Sequence, residues 1–177
     1  MPLKKSFLVL IEGYYDKEFF EHIIKPLLLK KFKDYEFHFI KHRHKSNEDI
    51  KKYIYSFKEF NSKIIYVEDF DKGPCFTFKR EKIKEKFEEL KNENIIIVKL
   101  EIESWYLAGT NDKIFKDRID LKKIISTDNI SKGLFEEYIP NNLTKKEFIL
   151  ELMKFFDIKR AKERNKSFSY FITKWDL

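Results

Sequence analysis

Five carboxylates stand out by position. Glu12 closes the apolar run Phe7-Leu8-Val9-Leu10-Ile11, Asp69 and Asp71 follow Lys63-Ile64-Ile65-Tyr66-Val67, and Glu101 and Glu103 follow Ile95-Ile96-Ile97-Val98. Runs that are apolar at every position suit strands buried on both faces, as in a parallel sheet. In an open parallel sheet, ligands bind beyond the carboxyl ends of the strands. Acids from three strands would then meet at one edge, repel one another and raise each other's pKa. A hard divalent cation relieves that conflict. Mg²⁺ takes one or two carboxylates and completes its shell with waters and substrate phosphates. In a regular strand Glu101 and Glu103 would share a face, so alternation does not choose between them. The nearby Trp105 favours Glu103.

The elements that must hold these residues are legible in the first hundred positions. After Glu12-Gly13, Asp16 is placed to cap a helix reaching about Lys31, with Phe19, Phe20, Ile23, Ile24, Leu27 and Leu28 at helical spacing. Pro26 lies inside that pattern and predicts a kink or an early end. Glu36 to Ile40 alternates like an edge strand. Ser46 or Asn47 can cap a helix with Ile50, Ile54, Phe57 and Phe60 on its apolar face, and Phe76 to Asn92 reads as a charged amphipathic helix. Strands alternating with helices predict an α/β fold, a compact parallel four-stranded sheet flanked by helices. After Trp105 no buried strand recurs. Segments 112–126, 131–139, 144–156 and 159–173 read as helices. The chain thus divides into a core over 1–108 and a helical extension over 109–177, packed as a single compact unit.

A buried strand ending in Glu-Gly, with a later one ending in Asp-x-Asp, resembles the TOPRIM domain shared by topoisomerases, bacterial primases and overcoming-lysogenization-defect-type nucleases. The motifs here are FLVLIEGYYD (Phe7 to Asp16) and IIYVEDFDKG (Ile64 to Gly73). EIESWYLA (Glu101 to Ala108) is similar to small stand-alone TOPRIM proteins, and RNKSFSYF (Arg164 to Phe171) is similar to the ends of such proteins. Gly73 departs from the pattern, following Asp71 by two residues where many members have three. The resemblance implies a Rossmann-like TOPRIM sheet and an Mg²⁺ site for which Mn²⁺ can substitute. It implies that Glu12 serves as general acid/base or metal ligand, that Asp69 and Asp71 hold the metal, and that Glu103 is an added ligand as in the nuclease-like branch. Phosphodiester chemistry needs those services, charge neutralised on the phosphate and a proton moved to or from an oxygen.

Structural readings compete at each position. Glu12 can be a strand-end carboxylate beside a turn glycine, the Asp69/Asp71 pair can cap the next helix, and Asp16 fits a helix cap and a site role together. Alternation turns Glu68 away from Asp69. Lys41, Arg43 and Lys45 follow the second strand on the carboxyl edge and suit backbone phosphate, as do Lys159, Arg160, Arg164 and Lys166 further on. A solvated loop and a solvated helix face are their plain alternatives. No third ligand accompanies His42 and His44. The phenylalanines at 148, 155, 156, 168 and 171 suit a core better than a base-stacking platform.

Composition bounds the rest. The chain has 177 residues, 37 Lys+Arg against 30 Asp+Glu, and a net charge of +7, which suits a nucleic-acid partner. The basic residues are 32 Lys and 5 Arg and there is no Gln, a bias that heat-adapted or AT-rich genomes also produce. The single cysteine, Cys75, excludes an intrachain disulfide and a cysteine-rich zinc site and predicts a reducing, cytoplasmic setting. No apolar run is long enough to span a membrane. The leading expectation is therefore Mg²⁺-dependent phosphodiester chemistry on DNA or RNA by a nuclease-like protein. The alternative is a non-catalytic module binding nucleic acid or a protein partner. A phospho-acceptor receiver domain would want an acidic pair after the first strand and one Asp after the third, the reverse of this chain. The chain is too short for the extra modules of a topoisomerase or primase.

Overall fold

The computed structural model describes residues 5–60, 62–71, 73–110 and 124–177. The chain forms two compact units, Met1–Ile97 and Val98–Leu177.

The first unit carries β1 (Lys5–Ile11), α1 (Tyr14–Phe19), a π-helical turn (Phe20–Ile24), α2 (Lys25–Lys31), β2 (Tyr35–Lys41), α3 (Asn47–Glu59), β3 (Lys63–Asp69), α4 (Phe76–Lys86) and β4 (Ile95–Val98). The strands make a four-stranded parallel sheet in the order β2-β1-β3-β4. In the register, Phe7 lies opposite Phe37 on β2 and Lys63 on β3, and Leu10 opposite Ile40 and Tyr66. The predicted α/β fold with a parallel, helix-flanked sheet is what the chain adopts.

Hydrophobic burial sets this arrangement. Phe7 to Ile11 are fully buried, which requires cover on both faces of β1. On one face Leu8, Leu10, Ile64, Tyr66, Ile95 and Ile97 pack with Ile50 and Ile54 of α3 and with Ile83, Phe87 and Leu90. Right-handed crossovers put α1 and α2, which link β1 to β2, on the opposite face. β2 is only half-buried, as an edge strand. The order reverses at β1: the chain first steps to β2 and then returns to the far side for β3. That makes the β1/β3 boundary the topological switch point.

Three local expectations change. The N-cap of α1 is Gly13, and Asp16 sits one turn in, accepting the Gly13 N–H at 3.0 Å. Pro26 does not end the helix. The ladder widens to π geometry over Phe20–Ile24 just before it, which absorbs the missing N–H donor. α4 stops at Lys86 rather than reaching Asn92, and Phe87 and Leu90 turn into the core from the segment that follows.

The second unit contains α5 (Glu103–Ala108), α6 (Lys132–Glu137), α7 (Lys145–Lys154), α8 (Ile158–Arg164) and α9 (Lys166–Trp175). The predicted helix over 112–126 lies mostly outside the described residues. Every residue of α5 is buried. Its packing partners are the helices of this unit, so the boundary falls at Ile97/Val98, where the sequence suggests Ala108. Trp105 stacks on Phe171 with ring centroids 5.6 Å apart and meets Phe168 edge-on at 5.2 Å. Gly109 is fixed by close approach, since a Cβ there would lie 2.3 Å from the Phe156 ring.

The predicted helix over 159–173 is two helices, broken at Asn165. That residue is extended and its Oδ1 caps α9 by accepting the Phe168 N–H at 2.9 Å. The same oxygen accepts from Ser167 Oγ at 2.8 Å, and Nδ2 donates to Ser104 Oγ and Thr127 Oγ1 at 3.2 and 3.0 Å. Ser167 Oγ in turn accepts from Trp105 Nε1 at 2.8 Å and from the Lys99 N–H at 3.1 Å. The Arg-Asn-Lys-Ser stretch is thus the polar lock of this unit. A buried network of this kind is costly to leave half-satisfied. Asn165→Ala should destabilise the unit by about 2–3 kcal/mol, because Ser104, Thr127 and Ser167 each lose a partner. Both tryptophans, Trp105 and Trp175, lie in this unit. Urea unfolding followed by tryptophan fluorescence therefore reads it directly, and an unchanged midpoint would contradict the network's role.

Candidate functional site

The site is built at the switch point of the first unit. β1 ends at Ile11 and β3 at Asp69, so parallel pairing carries Glu12 alongside the last residues of β3. Glu12 Oε2 accepts the backbone N–H of Asp69 at 3.2 Å. This contact joins residues 57 positions apart and fixes the carboxylate at the carboxyl edge. Asp69 is buried, with 8% of its surface exposed, and Asp71 is exposed. Behind Glu12, the Asp16 carboxylate holds the Gly13 N–H, so the Glu-Gly turn is pinned on both sides.

The basic loop after β2 reaches the same edge. The His42 N–H donates to the Ile11 carbonyl at 2.8 Å and the Arg43 N–H to the Glu12 carbonyl at 3.1 Å, so strand pairing continues one step past β2. The Arg43 guanidinium, 63% exposed, lies 3.7 Å from Glu12 Oε1. His44 adopts φ +70°, turning the loop, and the Lys45 ammonium sits 5.5 Å from the centre of the Tyr53 ring. Lys41 is exposed at the end of β2.

His42 itself points inward. Its Nε2 lies 2.9 Å from the Val67 carbonyl and its ring stacks on Tyr66 with centroids 4.6 Å apart. A carbonyl only accepts, so Nε2 carries the proton in this bond. Burial pushes the imidazole below its ordinary 6.5, outweighing the Val67 bond and the charges of Glu68 and Glu12. Tyr66 Oη donates to Glu68 Oε2 at 2.8 Å, and Lys79 Nζ of α4 sits 2.7 Å from Glu68 Oε1. Burial pushes the Glu68 carboxyl up, but the bonds from Lys79 and Tyr66 outweigh it and leave it below the usual carboxylate value. Burial and then the Glu68 charge push the Tyr66 phenol far up, so it acts as a neutral donor. Glu68 is thus committed to α4, as alternation along β3 predicts, and the Glu68–Lys79 pair ties β3 to the helix that follows the Asp69–Asp71 segment. Sequence reasoning missed Tyr66, Lys79 and the inward turn of His42. The Tyr66-x-Glu68 spacing on one strand face was the available signal for the first of these.

The cap of α4 bears on the competing reading of the aspartates. Cys75 occupies the N-cap and its Sγ accepts the Phe78 N–H at 3.5 Å, so neither Asp69 nor Asp71 caps this helix.

The remaining sequence candidates lie in the second unit. Glu101 and Glu103 are not on a strand. β4 ends at Val98, Leu100 turns at φ +63°, and Glu103 opens α5. The expected strand face shared by the two glutamates is therefore absent. Glu101 accepts the Lys132 N–H. Glu103, 5% exposed, is held by Lys145 Nζ at 2.7 Å, and Lys145 also reaches Glu136 at 3.6 Å. Arg160 and Arg164 both direct Nη1 at the Thr110 carbonyl, at 3.1 and 3.3 Å. Lys159 is exposed. Lys166 is also exposed, and its N–H donates to Asp128 at 2.9 Å. Phe148, Phe168 and Phe171 are core, as expected, whereas Phe155 is exposed.

For a metal, the donor chemistry at the switch point is all oxygen: two carboxylates, with a third on Asp71 two residues along the chain. Among the described residues no group of three or more His, Cys, Asp or Glu side chains is gathered into a ready-made cage. That set fits a hard cation that keeps most of its waters better than zinc, which wants four close nitrogen or sulfur-rich ligands.

The buried His42 makes a pH test available. Its lowered pKa means that the unfolded chain takes up a proton that the native protein refuses. This contribution to stability is full above pH 6.5 and falls as pH drops below it, until the native value is reached. Between pH 6.5 and 5 the wild type should lose stability more steeply than His42→Gln, by at most about 1.4 kcal/mol per pH unit. Urea titrations at stepped pH check this, and parallel curves for the two proteins would contradict it.

No family model, curated protein or solved structure matches this chain.

Proposed function

We propose that the protein is a nuclease-like TOPRIM enzyme carrying out Mg²⁺-dependent phosphodiester chemistry on nucleic acid, at the carboxyl edge between β1 and β3. The supporting observation is the Glu12–Asp69 contact, a carboxylate bonded to the backbone of a buried aspartate at the one place where an open parallel sheet leaves a crevice. Glu12, Asp69 and Asp71 would hold the ion. When bound, it supplies charge neutralisation on the phosphate and a polarised oxygen.

The chain's own residues supply the rest. Glu12 would move a proton to or from an oxygen of the substrate, a role supported by its Oε2 accepting the Asp69 N–H and its Oε1 lying 3.7 Å from the Arg43 guanidinium. Arg43, beside Glu12, and the exposed Lys41 and Lys45 two residues to either side of it in the chain would meet successive backbone phosphates, which give affinity without base specificity. The charge balance of +7 agrees with a phosphate-bearing polymer. No helix among the described residues is long and apolar enough to cross a membrane.

The purified protein should nick DNA or RNA in Mg²⁺ or Mn²⁺, and Glu12→Gln and Asp69→Asn should each lower the rate by about 10²-fold or more. A clean preparation showing no metal-dependent cleavage of any DNA or RNA would overturn the proposal. Tight, salt-dependent binding without turnover would place the protein among binding modules instead.

A further inference from the structure

α4 begins with an exposed aromatic patch that the fold does not use. Phe76 and Phe78 are 39% and 42% exposed, although water disfavours a bare phenylalanine ring. Further along, Ile83 and then Phe87 turn inward to the core, so α4 is well anchored without them. The two rings are not isolated. Phe70, which packs against the core cluster, meets Phe76 with ring centroids 4.6 Å apart. Gly73 lies between Phe70 and Phe78: a Cβ there would stand 3.7 Å from one ring and 3.8 Å from the other. Its φ of +154° is one that side-chain-bearing residues rarely adopt, so the loop can fold against both rings only with glycine at this place.

Two features give this patch a chemistry. It is continuous with the candidate site, because Phe70 follows Asp69 directly in the chain. It is also framed by positive charge. α4 carries Lys79, Arg80, Lys82, Lys84 and Lys86 against Glu81 and Glu85; Lys79 is paired with Glu68 and Lys82 with Glu85, and the Lys82 ammonium also stands 5.6 Å from the centre of the Phe78 ring. An aromatic surface edged by cations is the arrangement that receives bases by stacking while the charges follow the backbone. A duplex hides the faces of its bases, whereas a single strand presents them.

We infer that Phe76 and Phe78, braced by Phe70 and Gly73, form a stacking site for unpaired nucleobases, so that the strand bound beside Asp69 is single-stranded or locally opened. The inference rests on the proposed nucleic-acid function and specifies its substrate class. It stands on residues outside the carboxylate site and needs no metal.

The test is binding in EDTA of a single-stranded oligonucleotide carrying 2-aminopurine, whose fluorescence falls on stacking. Wild type should quench it, and a Phe76→Ala/Phe78→Ala double variant should lose the quench and bind about 5- to 50-fold more weakly. A duplex of equal length should bind both proteins alike. Phe78→Trp should retain the quench, which shows that an aromatic face rather than the fold is being read. Asp69→Asn should also retain it, so a failure of the cleavage proposal is told apart from a failure of this one. Equal affinity of the double variant for the single strand, or equal losses on single strand and duplex, would overturn the inference. So would concentration-dependent self-association abolished by the same double variant, since the patch would then be covered by a second copy or another protein.

Discussion

Parallel pairing of β1 with β3 is the constraint on which everything near the site depends. It is enforced by five consecutive apolar residues, Phe7 to Ile11, that must be covered on both faces. Once they are, the residue after each strand has no choice of edge. Glu12 is delivered beside Asp69, and a single hydrogen bond of 3.2 Å from the Asp69 amide fixes the carboxylate. On the other side of β1, its pairing with β2 runs on through the backbone bonds of His42 and Arg43, which bring a basic loop to the same edge. Hydrophobic burial therefore sets the electrostatics of the site, because it decides which charges become neighbours.

A second layer holds this edge in place. His42 fills the space between the loop and Tyr66, Tyr66 bonds Glu68, and Glu68 bonds Lys79 on α4. Each member is satisfied by the next, which is the condition under which buried polar groups can be kept. The chain of contacts starts at the loop that carries Arg43 and ends on the helix that follows Asp71. Movement of either flank of the carboxylates must therefore disturb a half-buried ion pair. The second unit repeats the principle with neutral groups, where Asn165 and Ser167 gather the ends of several segments around Trp105.

The sequence was most readable where burial is uniform. The apolar runs at 7–11, 64–67 and 95–98 are strands, and the alternating stretch after Tyr35 is the half-buried edge. It was least readable where one side chain arbitrates between two backbone paths. Asn165 could not be distinguished from an ordinary helical position until its four hydrogen-bond partners were seen. Glu103 read as a strand-end ligand, but the turn at Leu100 places it at the start of a helix with Lys145 as its partner. The sequence places His42 in a basic loop open to phosphate contact or to solvent, because nothing local signals that Tyr66, 24 residues on, will stack against it. The cap of α4 is Cys75, not Asp69 or Asp71. For Asn165, Glu103 and His42 the deciding partners, Ser104 with Thr127, Lys145 and Tyr66, are distant in sequence, and periodicity carries no information about them.

On the proposed function, Glu12 and Asp69 form one cation site. A crystal structure grown with Mn²⁺ and recorded at the manganese absorption edge tests it most directly. An anomalous peak is expected at the carboxyl end of β1 and β3, with oxygens of Glu12 and Asp69 in the first or the water-bridged shell and direct metal–oxygen distances of about 2.0–2.6 Å. A peak elsewhere, or none at a concentration that supports cleavage, with the Arg43 guanidinium still resting on Glu12, would contradict it.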